Sequence, residues 1–505
     1  MYRILSASKD TYVTNKIINN KFRATDANTG QAGTLDLFKL YAESVSGSNT
    51  TPTELSRIFI KFDLQDAIDM HNNKIIDVGD TSFKSHIKLH DVYGGQTTPS
   101  NFKIIVFPLS QSFDEGIGYD IVNYADVDAT NFITASVSNG VVKAWNSPGA
   151  MKSGTLGDEN IDVIVNGTVQ GQDSPISLFG EQLFKTGEED LSIDVTNFVS
   201  ASIKGLIPNH GFCIAFSGSY EKDQKTYFVK RFASRNTANT GIQPKLTIQF
   251  DDSIIDEHTN FEFDYSGSLY LTNFSKGKLT NILSGSAASE ISGANCMILK
   301  IESGSFSKQF NVSQAERGKH RLTGIYSSSF AISSFDSALY DHILSSGSIT
   351  FSEIWSNSTQ TVTYLSSSIA IKKNKITEIN FNENRLQLSM LNLRTRYKET
   401  DFVKLRVYIQ NADRDISFKK KPQEIPSQVF SNMHYRVRDF QTGKIIVPFD
   451  TTSNSTKLSS DKTGMYFDFY MSSVPRGKAY IFDFLIKQNG FDTIIKDVPS
   501  KFVVE

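Results

Sequence analysis

Asp120, Asp126 and Asp128 form the closest local cluster of carboxylates in the chain, and converging carboxylates are what general acid–base chemistry or a calcium ion requires. The stretch around them is rich in Asp, Asn and Gly and reads as a loop, where a carboxylate is ordinarily solvated. No Asp-x-Asn/Asp-x-Asn/Asp-Gly run leads on to the Glu that closes an EF-hand loop, so calcium stays an open alternative and catalysis is not expected there. His86 and His90 would be neighbours on a helix. Ile87 and Leu89 alternate with His86, Lys88 and His90, however, as in a strand, and four strand residues span about 13 Å, too far for one zinc. Both histidines are expected to face solvent. Lys276-Gly277-Lys278-Leu279 lacks the upstream glycine and the Ser/Thr of a P-loop, and Gly116-Ile117-Gly118 lacks the third glycine and the strand-turn-helix setting of a dinucleotide site. No Gly-x-Ser-x-Gly elbow occurs, and neither Cys213 nor Cys296 has a matched histidine. The expectation is a protein that is not an enzyme and uses no metal or cofactor.

Aromatic side chains offer a different chemistry, because β-sandwiches grip sugars with exposed Trp or Tyr faces. Tyr119, Tyr124 and Trp145 all fall in the long excursions of residues 110–190 and are the candidate glycan contacts. The alternative is that Trp145 packs under its own loop while the tyrosines rim the domain. Arg235 is expected to hold a carboxylate or carbonyl that ties down a strand end.

The chain that must position these residues has 505 of them, enough for three to four domains at about 100–200 residues each. Lys+Arg 52 against Asp+Glu 54 leaves a net charge of -2, which gives no overall field toward nucleic acid or an anionic membrane. The run Lys419-Lys420-Lys421 is short and flanked by Asp415 and Glu424, a solvated loop. Two cysteines in different regions do not make a disulfide framework and are expected to be buried small hydrophobes. No signal-peptide core follows Met1, and no window approaches 18 uninterrupted apolar residues, so membrane insertion is not expected.

With 37 Phe, 19 Tyr and only 12 Pro, and with Ser, Thr and Asn between short apolar runs, the composition favours strands and turns with almost no long helix. Leu246, Ile248 and Phe250 alternate with Thr247 and Gln249 after Pro244, a half-buried strand. Strands are also expected at Arg57 to Leu64, Phe83 to Tyr93, Phe102 to Leu109, Ile193 to Val199, Phe212 to Phe216 and Phe232 to Asn236, with one helical turn at Asp66 to Met70. From Phe261 to Lys373, Ser-Gly-Ser recurs at 266–268, 284–286, 303–305 and 346–348, and it also occurs at 46–48 and 217–219; such residues suit hairpin corners. From 374 onward, short apolar runs at Leu386, Lys404, Tyr435, Ile445, Met465 and Tyr480 argue for a further sandwich.

Asp10-Thr11-Tyr12, Gly30 to Leu37, Arg57 to Leu64, Trp145-Asn146-Ser147-Pro148, Asp194-Val195-Thr196, Asn209-His210-Gly211-Phe212, Phe232-Ala233-Ser234-Arg235 and Pro244-Lys245-Leu246 stand in the order seen in DNRLRE-type domains, which residues 1–252 resemble. That resemblance implies a carbohydrate-binding-module-like β-jelly roll. Where such domains often carry a Trp and an acidic residue before the Trp-Asn element, this chain has Phe113-Asp114-Glu115-Gly116-Ile117-Gly118-Tyr119-Asp120. Further on, Pro426-Ser427, Tyr435-Arg436, Thr442-Gly443, Pro448-Phe449-Asp450 and Gly464 to Met471 resemble the C-terminal part of structural proteins of T4-like tailed bacteriophages.

The expected fold is all-β: a jelly-roll sandwich over 1–252, then Ig-like β-sandwiches over 253–373 and 374–505. The resemblance implies a structural part of a virion, synthesised in the host cytoplasm and placed at the neck, tail or baseplate or as a capsid decoration. Its expected partners are other virion proteins and further copies of itself in a homo-oligomer. The alternative is a virion-borne adhesin whose jelly roll binds host surface glycan.

Overall fold

The computed structural model describes the chain apart from residues 20, 43–52, 93–96, 123–127, 170–173, 286–287, 374–385, 413–426, 489 and 499. Tyr124, Asp126, the Ser-Gly-Ser at 46–48 and the Lys419–Lys421 run lie outside the described residues. Two compact units divide the chain, one made of Arg3–Asn72 and Phe83–Gln249, the other of Met1–Tyr2, Asn73–Ser82 and Phe250–Glu505. Both are β-sandwich structures, and the chain is all-β. No helix among the described residues is long and apolar enough to cross a membrane.

In the first unit one sheet runs in the order Gly180–Phe184, Phe102–Pro108, Phe212–Phe216, Thr53–Phe62, Tyr2–Thr14, Lys245–Gln249, Lys84–Leu89 and Leu191–Asp194. Thr53–Phe62 pairs antiparallel with both Tyr2–Thr14 and Phe212–Phe216, as do Phe102–Pro108 with Gly180–Phe184 and Phe212–Phe216, and Lys84–Leu89 with Lys245–Gln249 and Leu191–Asp194. Its two ends meet: Gln182 accepts from the Ser192 N–H at 2.6 Å and donates to the Asp190 carbonyl at 2.9 Å, so the sheet nearly closes into a barrel. A register shift between Ala7 and Lys9 bends the long first strand. Alternation does what the sequence leads one to expect, with Phe102, Ile104, Val106 and Pro108 buried along one face. Leu246 and Ile248 are buried too, but so is Thr247, because both faces of that strand are covered.

One expected strand is corrected. The strand beginning at Leu191 stops at Asp194, and Thr196–Ile203 is a helix. The Asp194 carboxylate accepts from the Thr196 N–H at 2.8 Å, turning the chain, and Phe198, Val199, Ala201, Ser202 and Ile203 are buried on the helix. A short apolar run of this kind satisfies either period. The turn expected at Asp66 to Met70 is a helix over Gln65–Asn72.

In the second unit a six-stranded sheet runs Ser266–Thr272, His320–Ala331, Phe306–Arg317, Met297–Ser303, Ser348–Asn357 and Thr363–Lys372. Phe306–Arg317 pairs with Met297–Ser303 through its first half and with His320–Ala331 through its second, so the sheet curls around a core that includes Leu299, Phe330, Phe351 and Trp355. Only some Ser-Gly-Ser tripeptides are hairpin corners. That at 303–305 is one, with Gly304 at φ 58°, whereas 266–268 lies within a strand and Gly347 ends the helix Tyr340–Ser346 in the left-handed region.

Two more large sheets lie in this unit. One runs Leu386–Met390, Phe402–Asn411, Gly464–Tyr470, Ser459–Asp461; the other runs Arg396–Tyr397, Lys501–Val504, Ala479–Gln488, Met433–Asp439, Ile445–Val447, with Phe491–Ile495 also on Ala479–Gln488. Aromatic rings fill the space between them: Tyr435 lies 4.4 Å from Phe467, Phe467 lies 5.3 Å from Phe482, and Phe482 lies 5.0 Å from Phe502.

Candidate functional site

Trp145 does not present a ring to solvent. It is 5% exposed and packs in a cluster with Val13, Phe59, Phe113, Phe132 and Cys213, its ring centroid 4.9 Å from that of Phe59. Its indole N–H donates to the Asn131 carbonyl at 3.1 Å. The expectation of a glycan platform at Trp145 is corrected on this point: both the ring and its polar edge are used by the fold, as in the alternative weighed from the sequence. Tyr119 is 59% exposed. Of the aspartate cluster, Asp120 accepts from the Val122 N–H at 2.7 Å and Asp128 is exposed. Among the described residues no group of three or more His, Cys, Asp or Glu side chains is placed to hold a metal ion.

His86 and His90 do stand on and just beyond a strand, Lys84–Leu89, and both are half-buried. The Nδ1 of His90 lies 2.7 Å from Asp190. Cys213 is fully buried, and its desolvation pushes the thiol up to about 12, while Cys296 is half-buried; both are free thiols.

Asp10, Asn28, Glu115 and Arg235 come together in the first unit. Arg235 closes on Glu115, its Nη1 2.8 and 2.6 Å from the two carboxylate oxygens, while its backbone N–H donates to Asp10 at 2.6 Å. The Asp10 N–H in turn donates to Glu115 at 2.9 Å. Arg235 therefore anchors a carboxylate, as expected, and Glu115 supplies it. Asn28, fully buried, donates to the Glu115 and Thr130 carbonyls at 2.9 Å and accepts from the Gly30 and Gly118 N–H groups at 3.2 and 2.8 Å. A side chain at Gly118 would meet the Asn28 carbonyl at 1.9 Å, which is why glycine stands there. Most polar groups of this network hold loops together, which makes it a scaffold, while the buried Oδ1 of Asp10 has no hydrogen-bond partner.

What remains accessible is strand edge. Val141–Ala144 is exposed throughout and pairs only with Thr134–Ser138 among the described residues, with Val141 70% and Val142 55% exposed. Among the described residues Phe491–Ile495 pairs only with Ala479–Gln488, leaving Phe491 70% and Ile494 47% exposed. Thr363–Lys372 ends the six-stranded sheet with Leu365 partly exposed, although Lys372 at its far end is bridged to Glu262. Unpaired N–H and C=O groups beside exposed apolar side chains form a template for pairing with another chain.

No known protein family matches the chain, and no curated protein is similar to it. A solved structure of alpha-2-macroglobulin from E. coli in its native conformation aligns at 7% identity over 98% of this chain and 35% of that one, with a TM-score of 0.12, too low to bear on fold or function.

Proposed function

We propose that the chain is a non-enzymatic structural component of a tailed-bacteriophage virion, acting through protein–protein docking and self-association. The observation that carries this reading is the set of strand edges that end in exposed apolar side chains, above all Val141–Ala144 and Phe491–Ile495. An edge with unpaired N–H and C=O groups is a template for another chain, and each of these two edges carries one charged residue, Lys143 or Asp492, among its apolar ones. The resemblance of the C-terminal series to T4-like structural proteins supports the same reading, with residues 1–252, 253–373 and 374–505 as its modules. Closed symmetric assembly is the usual outcome when one chain docks on copies of itself.

Sedimentation velocity of the purified chain over a range of concentrations tests the self-association. Oligomers are expected in the wild type and should weaken in V142K or I494K, with the circular dichroism of a β protein retained. A wild-type chain that stays monomeric throughout would contradict self-association through these edges.

A further inference from the structure

Lys230 is 1% exposed, yet it lies on a strand of the first unit, Phe228–Ala233, among apolar neighbours. Its Nζ sits 2.6 Å from Asp91 Oδ1 and donates to the Gly187 carbonyl at 2.8 Å, with the rings of Phe184 and Phe232 5.2 and 5.4 Å away. The backbone fixes this meeting. Val92 donates to the Arg231 carbonyl and Ala233 to the His90 carbonyl, each at 3.0 Å, so His90–Val92 lies antiparallel beside the end of the lysine's own strand.

We propose that Lys230 and Asp91 are joined by an isopeptide bond, the lysine Nζ forming an amide with the aspartate Cγ. The balance needs nothing from outside. Within the ion pair the ammonium gives a proton to the carboxylate, the neutral amine attacks Cγ, the Nζ–Cγ bond forms, and the Cγ–O bond breaks as water leaves with both protons; no atom changes oxidation state. Two groups held in contact on a rigid frame supply the proximity that such a condensation requires. The surroundings favour its reactive form as well. Burial pushes the Asp91 carboxyl up, against the hydrogen bond from Lys230, and the nearby charges of Asp190 and Glu188 push the same way as burial. Asp190 is fixed beside it, accepting from the Asp91 N–H at 2.8 Å.

A second buried lysine in the same unit shows what an ordinary pair looks like. Lys39, also 1% exposed, lies 2.7 Å from Asp223. Its Nζ donates to two backbone carbonyls besides, those of Tyr220 and Asp223. Burial acts to raise the Asp223 carboxyl, but hydrogen bonds from Lys39, Thr226 and Lys225 prevail and hold it well below the usual range, so it stays ionised and unreactive. The proposal concerns Lys230 alone and stands apart from any role in a virion.

Intact-mass measurement and a protease map of the purified full chain test it. The chain is expected to be lighter than its sequence by one water molecule, with a branched peptide joining the segments that carry Asp91 and Lys230. K230R and D91A should each restore the full mass, and K39R should leave the wild-type mass unchanged. A wild-type map in which Lys230 is recovered in a linear, unmodified peptide would overturn the proposal whatever the variants do, as would a loss of water confined to a single linear peptide.

Discussion

The imidazole of His258 is clasped by Glu353, its Nε2 2.9 Å from one carboxylate oxygen and 3.0 Å from the other. On the opposite side its Nδ1 meets Asp256, and Glu353 also accepts from the Trp355 indole. Both His258 and Glu353 are buried, at 7% and 0% exposure. The Asp256 carbonyl accepts from Ser460, and Ile255 forms a bridge with Ser460, so the segment that carries His258 is held from two directions within the second unit.

Burial by itself lowers the His258 pKa, but the hydrogen bonds its ring donates to Asp256 and Glu353 outweigh it and raise the value to about 9. Since the unfolded value is about 6.5, this contribution to stability is complete below pH ~6.5 and is lost as pH rises through the folded value. Glu353 is shifted the other way: burial would raise it, the His258 hydrogen bond prevails, and its share is lost as pH falls through its depressed value. H258Q leaves two buried carboxylates without their cation and should cost about 3–5 kcal/mol at pH 6. Urea unfolding of wild type and variant at pH 6 and pH 10 checks this, and the gap between them should narrow at the higher pH.

Asp10 is shifted in the opposite direction to Glu353. Burial pushes its carboxyl up to about 7, against the hydrogen bond from the Arg235 N–H and with the added repulsion of Glu115. An acid whose folded pKa exceeds its unfolded value of about 3.9 binds more protons when folded, so stability falls as pH rises from ~4 to ~7. D10N should flatten that slope and be at least as stable as wild type at pH 8. A variant with the wild-type slope would show that Asp10 is not its source.

Replacing Trp145 tests whether its ring is core or ligand platform. W145A should destabilise the first unit by about 3–5 kcal/mol, the usual cost of removing a large buried aromatic side chain. W145F, which keeps a ring against Phe59, should cost less. Denaturant midpoints give the answer, and a W145A protein as stable as wild type would contradict the packing described.

The sequence was informative where one rule governs a segment. Phe102, Ile104 and Val106 face the core because strand alternation admits no other register, and Arg235 found a carboxylate because a half-buried guanidinium needs one. It misled where two periods fit the same residues, as at Phe198 and Val199, which are helical. Ser-Gly-Ser was ambiguous for a related reason: glycine tolerates a left-handed turn at Gly304 but does not impose one within Ser266–Thr272. The buried polar pairs were not legible at all. His258 and Glu353 are 95 residues apart in sequence, and neither carries a local signal that names the other. Such pairings are decided by topology, once strands distant in sequence are neighbours in a sheet.

The proposed place in a virion is tested most directly by immunogold labelling of purified phage particles, with an antibody raised against residues 386–505. Gold at one fixed place, repeated from particle to particle, is the expected result for a structural component and would point to the neighbours for contact mapping. Particles that carry none of the protein, by labelling and by mass spectrometry of the disrupted virion, while infected cells hold it in abundance, would contradict a place in the virion.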